Sequence, residues 1–352
     1  GINAEYGEHL MSSNSGNHPS LLDKLVIPGW YKYIVRPIYF ALLPVFIVIK
    51  LVGAVVPLIL SSIVDRLLNL GTDPTQPLGP VRFFIYKLMK KILFRIALFF
   101  SGIILIVDGK PNPDVRALMF NHTSFLDILT VSSCGAWSCI AKGGIANNPL
   151  FGPTIRVTRS FLARTGGDQG ELMARMTEQP QRFPPLGVFP GGTTTNQRIF
   201  PRFRTGVFRA NPTIQLGTVQ YYGYENLFYT CVSGPQLIWN IFKNPLAICR
   251  IHYYDGVESA LPQEEPQEFA NRVGRKLAQK INGEYTSYDF KDMLWFNGNE
   301  KFKDQLSESY KAEQLWRGNL VEWQQRCKKL GLNYIYNWTK QEIEERERNM
   351  KK

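Results

Sequence analysis

The stretch RALMFNHTSFLD, residues 116–127, opens with apolar residues and turns polar at Asn121. Arg116 to Phe120 has the composition of a short strand, so His122 stands just past that strand's carboxyl end, which is where open α/β sheets gather their ligands. Ser124 can cap a helix that begins near Phe125, and one turn then separates His122 from Asp127. Working outward, short apolar runs at Ser138–Ala141, Ser160–Arg164, Leu186–Phe189, Ile214–Tyr221 and Ile251–Tyr254 alternate with helical patterns. Glu171–Gln181 and Glu265–Ile281 are the clearest helices, the second carrying Phe269, Val273, Leu277 and Ile281 at four-residue spacing. Alternation of this kind predicts an α/β fold, a mostly parallel twisted sheet flanked by helices.

The rest of the chain is read around that unit. Apolar residues make up 44% of the 352, enough for a sizeable core, and a formal charge of +12 suits anionic headgroups or phosphate-rich molecules. Nucleic acid is excluded as a partner, because no aromatic stacking motif is interleaved with the basic residues. The five cysteines (Cys134, Cys139, Cys231, Cys249, Cys327) have no CxxC pair, so neither a disulfide framework nor a metal site is expected. Residues 1–30 form a polar segment whose first twenty residues lack the basic and apolar runs of a leader, and Glu5 breaks the myristoylation pattern of a Gly1 start.

Residues 31–110 are expected to be membrane-embedded or interfacial helices. Lys50 divides the apolar stretch Ile34–Val64 into halves shorter than the roughly 20 residues of a span, and Pro44 and Pro57 add kinks or a break. Leu93–Val107 reads as a helix lying in the interface behind the basic cluster Lys87, Lys90, Lys91 and Arg95. The α/β domain occupies 111–292, and 293–352 reads as a helical, charged tail suited to docking.

Three patches carry chemistry. A neutral His122 can take a proton from an attacking hydroxyl while Asp127 fixes its tautomer, although the same spacing also arises by chance in an exposed loop. VFPGGTTTN, residues 188–196, can point backbone N–H groups and hydroxyls at an anion, with Arg198, Arg202 and Arg204 following; a plain surface turn is the alternative. SFLAR, residues 160–164, closes on Arg164, whose planar guanidinium suits phosphate, unless it is an ordinary surface arginine at a strand edge.

In this order the three patches resemble the motif blocks of the phospholipid and glycerol acyltransferase family: FNHTSFLD is similar to NHxxxxD, FLAR to FxxR, and VFPGGTTTN to FPEGT. The lysophosphatidylcholine acyltransferase branch is nearest, from TTTN, RTGVF and FANRVGRKLAQ followed by YTSYDFKD, and the likeness covers about Leu93 to Asp292. It implies a glycerolipid acyltransferase-like fold and His122 and Asp127 as catalytic pair. Asn121, Phe161, Arg164, Phe189, Pro190, Gly191, Gly192 and Thr193 become substrate-binding residues, with no metal and no permanently bound cofactor. Acyl-CoA would be co-substrate, and membrane lipid and a lysophospholipid or lysophosphatidate the partners. Two blocks depart from the pattern: Gly191 stands where the family has glutamate, and PTIQLGTVQ has Leu216 and Gly217 where Pro and Val are expected. A second reading follows, an impaired, lipid-binding or structural subunit of a larger membrane assembly held through the C-terminal tail. The resemblance implies an endoplasmic reticulum membrane, while the basic balance and a start without methionine offer the mitochondrial inner membrane as alternative. Asn121-His122-Thr123 is a glycosylation sequon, and sugar there would block the site, so the site is expected to face the cytosol or matrix.

Overall fold

The computed structural model describes residues 36–135, 138–163, 170–195, 197, 199–223, 227–229, 234–287, 289–292 and 305. The expected polar segment 1–30, and the tail 293–352 apart from Gln305, lie outside the described residues.

Helix α1 (Arg36–Ala41) leads into α2 (Leu43–Asn69), and α3 (Pro80–Phe100) returns alongside it. The expected split at Lys50 is overturned, because α2 runs unbroken for 27 residues, about 40 Å. Pro44 falls in its first turn, where a missing N–H costs nothing, and Pro57 is accommodated inside the helix. Lys50 is only 6% exposed. Its Nζ donates to the carbonyl oxygens of Ser101, Ile241 and Asn244, so the one charge between Arg36 and Asp65 is turned away from the outer face. Val45, Val48, Val52, Val56 and Ile59 remain exposed on a helix long and apolar enough, by length and composition, to cross a bilayer. At the far end of the pair, buried Lys90 donates to Asp65 at 2.6 Å and to Ser61 and Thr154, and packs over the rings of Tyr86 and Phe94.

The run Leu93–Val107 is not one interfacial helix. It is divided by Gly102, whose φ of +82° ends α3, and the remainder forms β1 (Ile103–Asp108). The sheet therefore begins inside the segment expected to be membrane-embedded. There follow β2 (Ala117–Phe120), α4 (Asp127–Ser132), β3 (Ser138–Lys142), α5 (Gly152–Val157), β4 (Phe161–Ala163), α6 (Gly170–Thr177), β5 (Leu186–Val188) and β6 (Ile199–Phe200). After them come β7 (Ile214–Gly223), α7 (Gly234–Lys243), β8 (Ala247–Tyr253), α8 (Pro266–Gln279) and β9 (Glu284–Tyr285). The main sheet has the order β1-β8-β7-β2-β5-β3-β4, parallel throughout except where β7 meets β8. Expected strands and helices are present with shifted ends: β8 starts at Ala247, and α6 stops at Thr177, ahead of Pro180.

Alternation along the strands makes two cores. Leu118 and Phe120 of β2 join Phe94, Leu98, Leu129 and Ile241 on the side of α3, α4 and α7. Ala117 and Met119 face Phe208, Phe269, Val273 and Leu277, on the side covered by α6 and α8. The four-residue stripe of α8 is thus core; each such side chain contributes about 1.5–3 kcal/mol by leaving water.

Gly217 lies opposite Phe120 in the β2–β7 register, and a Cβ there would overlap the Phe120 ring. This accounts for one departure from the family pattern, since a larger residue would displace the ring beneath the His122 loop. Gly217→Ala is expected to cost about 1–3 kcal/mol through that overlap, read as a lower denaturation midpoint.

Candidate active site at the carboxyl end of β2

The chain leaves β2 at Phe120, and its next residues are fixed by hydrogen bonds on every side. Asn121 is buried; its Nδ2 donates to the Val219 carbonyl and its Oδ1 accepts from the Val219 N–H, both at 2.8 Å. The carboxamide of Asn121, expected to bind substrate, pairs with β7 and serves as a strut for the next residue. Ser124 does not cap a helix at Phe125; α4 starts at Asp127, and Asp127 itself gathers the preceding N–H groups.

Asp127 is fully buried and receives five donors. Its Oδ2 accepts from the Thr123 N–H at 2.6 Å, from the Ser124 N–H at 3.0 Å and from His122 Nδ1 at 2.8 Å. Its Oδ1 accepts from the Tyr221 hydroxyl at 2.8 Å and the Thr123 hydroxyl at 3.3 Å. With the carboxylate accepting, Nδ1 holds the ring proton and Nε2 is left as the nitrogen able to take another. The imidazole, 21% exposed, stacks on Phe189 with centroids 4.3 Å apart, and Phe189 leans on Phe120. Tautomer and ring plane are therefore both set.

Tyr221 was not among the residues read as functional. Burial, and then the charge of Asp127, push its phenol well above the usual range, so it stays a donor. The available signal was alternation: Val219 and Tyr221 share the face of β7 that meets the β2 loop. Tyr221→Phe removes one of five donors and is expected to lower turnover about tenfold at unchanged fold, a loss of the size of one hydrogen bond to a charged group. The rate profile against pH, compared with the natural protein's, checks that the effect passes through His122.

Phe189, Pro190, Gly191, Gly192 and Thr193 are brought beside this pair. The Thr195 N–H donates to the His122 carbonyl at 2.9 Å, and the Gly192 N–H closes a turn onto the Phe189 carbonyl. Gly192 has φ +72°, a conformation glycine adopts freely. Gly191 is buried, and a Cβ on it would stand 2.8 Å from Cγ of Pro201. Arg204 borders Gly192, its guanidinium lying over Phe290, while Arg202 pairs with Gln267. Arg198 lies outside the described residues.

Of the third motif, Phe161 is not brought here. Phe161 sits on edge strand β4, three strands from β2 and so roughly 14 Å away, under the Arg175 guanidinium. Arg164 lies outside the described residues. Arg175, lowered to about 10 by burial, donates to the Arg159 carbonyl and the Ser138 hydroxyl. Arg159 is taken up by Asn69, Thr72, Asp73 and Gln76. A cavity of about 810 Å³ opens at the opposite ends of the strands, beside Arg116, Pro185 and Thr213. It is remote from His122, and the arginines on its rim already have partners, Arg116 and Arg159 on main-chain carbonyls and Arg182 on the side chains of Glu178 and Gln76. Among the described residues no group of three or more His, Cys, Asp or Glu is placed to hold a metal ion.

Comparison with known proteins adds four likenesses. Residues 115–219 match the family model described as Acyltransferase. Lysophosphatidylcholine acyltransferase 2B of Mus musculus is 26% identical over 247 residues, 64% of this chain and 46% of the relative. Lyso-ornithine lipid O-acyltransferase of Rhodobacter capsulatus is 28% identical over 144 residues, 41% of this chain and 52% of the relative. The chain thus spans about half the length of the curated relatives it matches. Among solved structures, PlsC of Thermotoga maritima, a 1-acyl-sn-glycerophosphate acyltransferase, superposes with a TM-score of 0.50 at 14% identity. That match covers 72% of this chain and all of PlsC, a likeness of fold.

Proposed function

Because residues 115–219 match the Acyltransferase family model, we propose that this chain is a member of that family and transfers an acyl group from acyl-CoA to the hydroxyl of a lysophospholipid or lysophosphatidate at a membrane surface. The observation that carries the reading is the His122–Asp127 pair, its carboxylate held by five donors at the carboxyl end of β2. In the proposed reaction the acceptor oxygen attacks the thioester carbonyl while Nε2 of His122 takes its proton. Asp127 stabilises the imidazolium, and the thiolate leaves and recovers that proton. The Gly192–Thr193 turn, Arg204 and Arg164 bind phosphate. The exposed face of α2 holds the protein to the endoplasmic reticulum membrane or the mitochondrial inner membrane, with His122 on the cytosolic or matrix side.

One observation favours a second reading, a lipid-binding or assembly subunit with impaired catalysis. Gly191 offers no carboxylate where the resembling family has one, and Pro201 fills the space a side chain would need. Product formation from labelled acyl-CoA and a panel of lysophospholipids, by the natural protein and by Gly191→Glu, separates the two. Activity in the natural protein, lowered in Gly191→Glu because Pro201 must move, supports the enzyme; no product from the natural protein supports the subunit.

A further inference from the structure

Helix α7 is apolar on both sides. Leu237 and Ile241 are buried, Ile241 in the core shared with the sheet, while Pro235, Ile238 and Trp239 are exposed and Phe242 is half-buried, at the 0, 3, 4, 7 spacing of one helical stripe. Ile238 and Trp239 are each 47% exposed, no acidic residue occurs from Gly234 to Lys243, and the only charge closes the helix. Such a stripe on a folded surface calls for an apolar partner.

Its surroundings specify which. The Tyr39 hydroxyl donates to the Phe242 carbonyl, and Lys50 donates to those of Ile241 and Asn244. Side chains of α1 and α2 thus clamp the carboxyl end of α7, and beside this clamp Ile38, Leu42 and Val45 are exposed. The stripe on α7 accordingly continues the outer face of α2, which is apolar over a bilayer-sized length. We propose that α7 is a further lipid-contacting element, with Ile238 and Trp239 seated in the interfacial layer of the bilayer beside α2. Tryptophan suits that layer, having an apolar body and one N–H for the headgroup region.

The consequence reaches the site. Tyr229, five residues ahead of α7 and so within about 17 Å of it, donates its N–H to the Thr123 carbonyl, and its own carbonyl accepts from the Thr194 hydroxyl. One short segment therefore joins the His122 loop, the Pro-Gly-Gly loop and the lipid-seated helix. On the proposed function, this sets the height of His122 at the headgroups, where the hydroxyl of an amphiphilic acceptor lies.

The test reads position and not turnover, so it stands apart from the acyl-transfer reading. The full chain and Trp239→Phe are reconstituted in phosphatidylcholine vesicles with and without bromine on the acyl chains, and the difference in emission isolates Trp239 from the other six tryptophans. The expected result is loss of the Trp239 emission in brominated vesicles together with shielding from aqueous iodide. Quenching by iodide without quenching by bromine would place the helix in water. Shielding from both would place it under protein. Either result overturns the proposal.

Discussion

On the proposed function, Asp127→Asn is expected to lower acyl transfer by about 10³–10⁴-fold, because a neutral amide no longer stabilises the imidazolium of His122 and, with its NH2 toward the ring, reverses its tautomer. The carboxylate only accepts, and all five of its neighbours donate. An asparagine turns one acceptor into a donor that must face the Thr123 and Ser124 amides and His122, or else the Tyr221 and Thr123 hydroxyls. Only the first orientation moves a proton to Nε2, the nitrogen that should receive one from substrate; in the second the hydroxyls turn to accept, and the loss is that of the charge that stabilises the imidazolium. The same change costs about 1–3 kcal/mol of stability from unpaired buried donors, so rates are compared at temperatures where both proteins are folded. His122→Ala, at a partly exposed position, loses about 10²–10⁴-fold without that structural cost.

The second large effect is on stability. Lys90→Ala removes the cation from a buried carboxylate, since Lys90 and Asp65 are each about 1% exposed. Leaving one charge of such a pair uncompensated costs about 3–5 kcal/mol, read as a fall in the denaturation midpoint of the micelle-bound protein. Thr154 joins α5 to this pair, so the loss also loosens the helix pair α2 and α3 from the α/β domain. Lys90→Met with Asp65→Leu, which removes both charges, should recover most of the loss.

The parts of the fold legible in the sequence were those where local pattern and tertiary need agree. The strand before Asn121 and the stripe Phe269, Val273, Leu277 follow from periodicity alone, and both are core. Lys50 misled for a physical reason: a lone lysine in an apolar helix reads as an interruption, and only the fold supplies the three carbonyl oxygens that receive it. β1 was hidden because Leu93–Val107 is apolar apart from Arg95 and Ser101, and such a run does not distinguish helix from strand without weight on Gly102. At the site, the His122–Asp127 contact was readable from spacing. Asn121 and Tyr221 were not, since their roles depend on partners 98 and 94 residues away. The departure at Gly217, taken from sequence as a defect in a motif, is complementary to Phe120.

The most direct measurement is the rate of labelled acyl transfer to lysophospholipid by the full chain in vesicles, beside His122→Ala. The account predicts product from the natural protein and at least a hundredfold less from the variant. No product from the natural protein, or equal product from both, would contradict it.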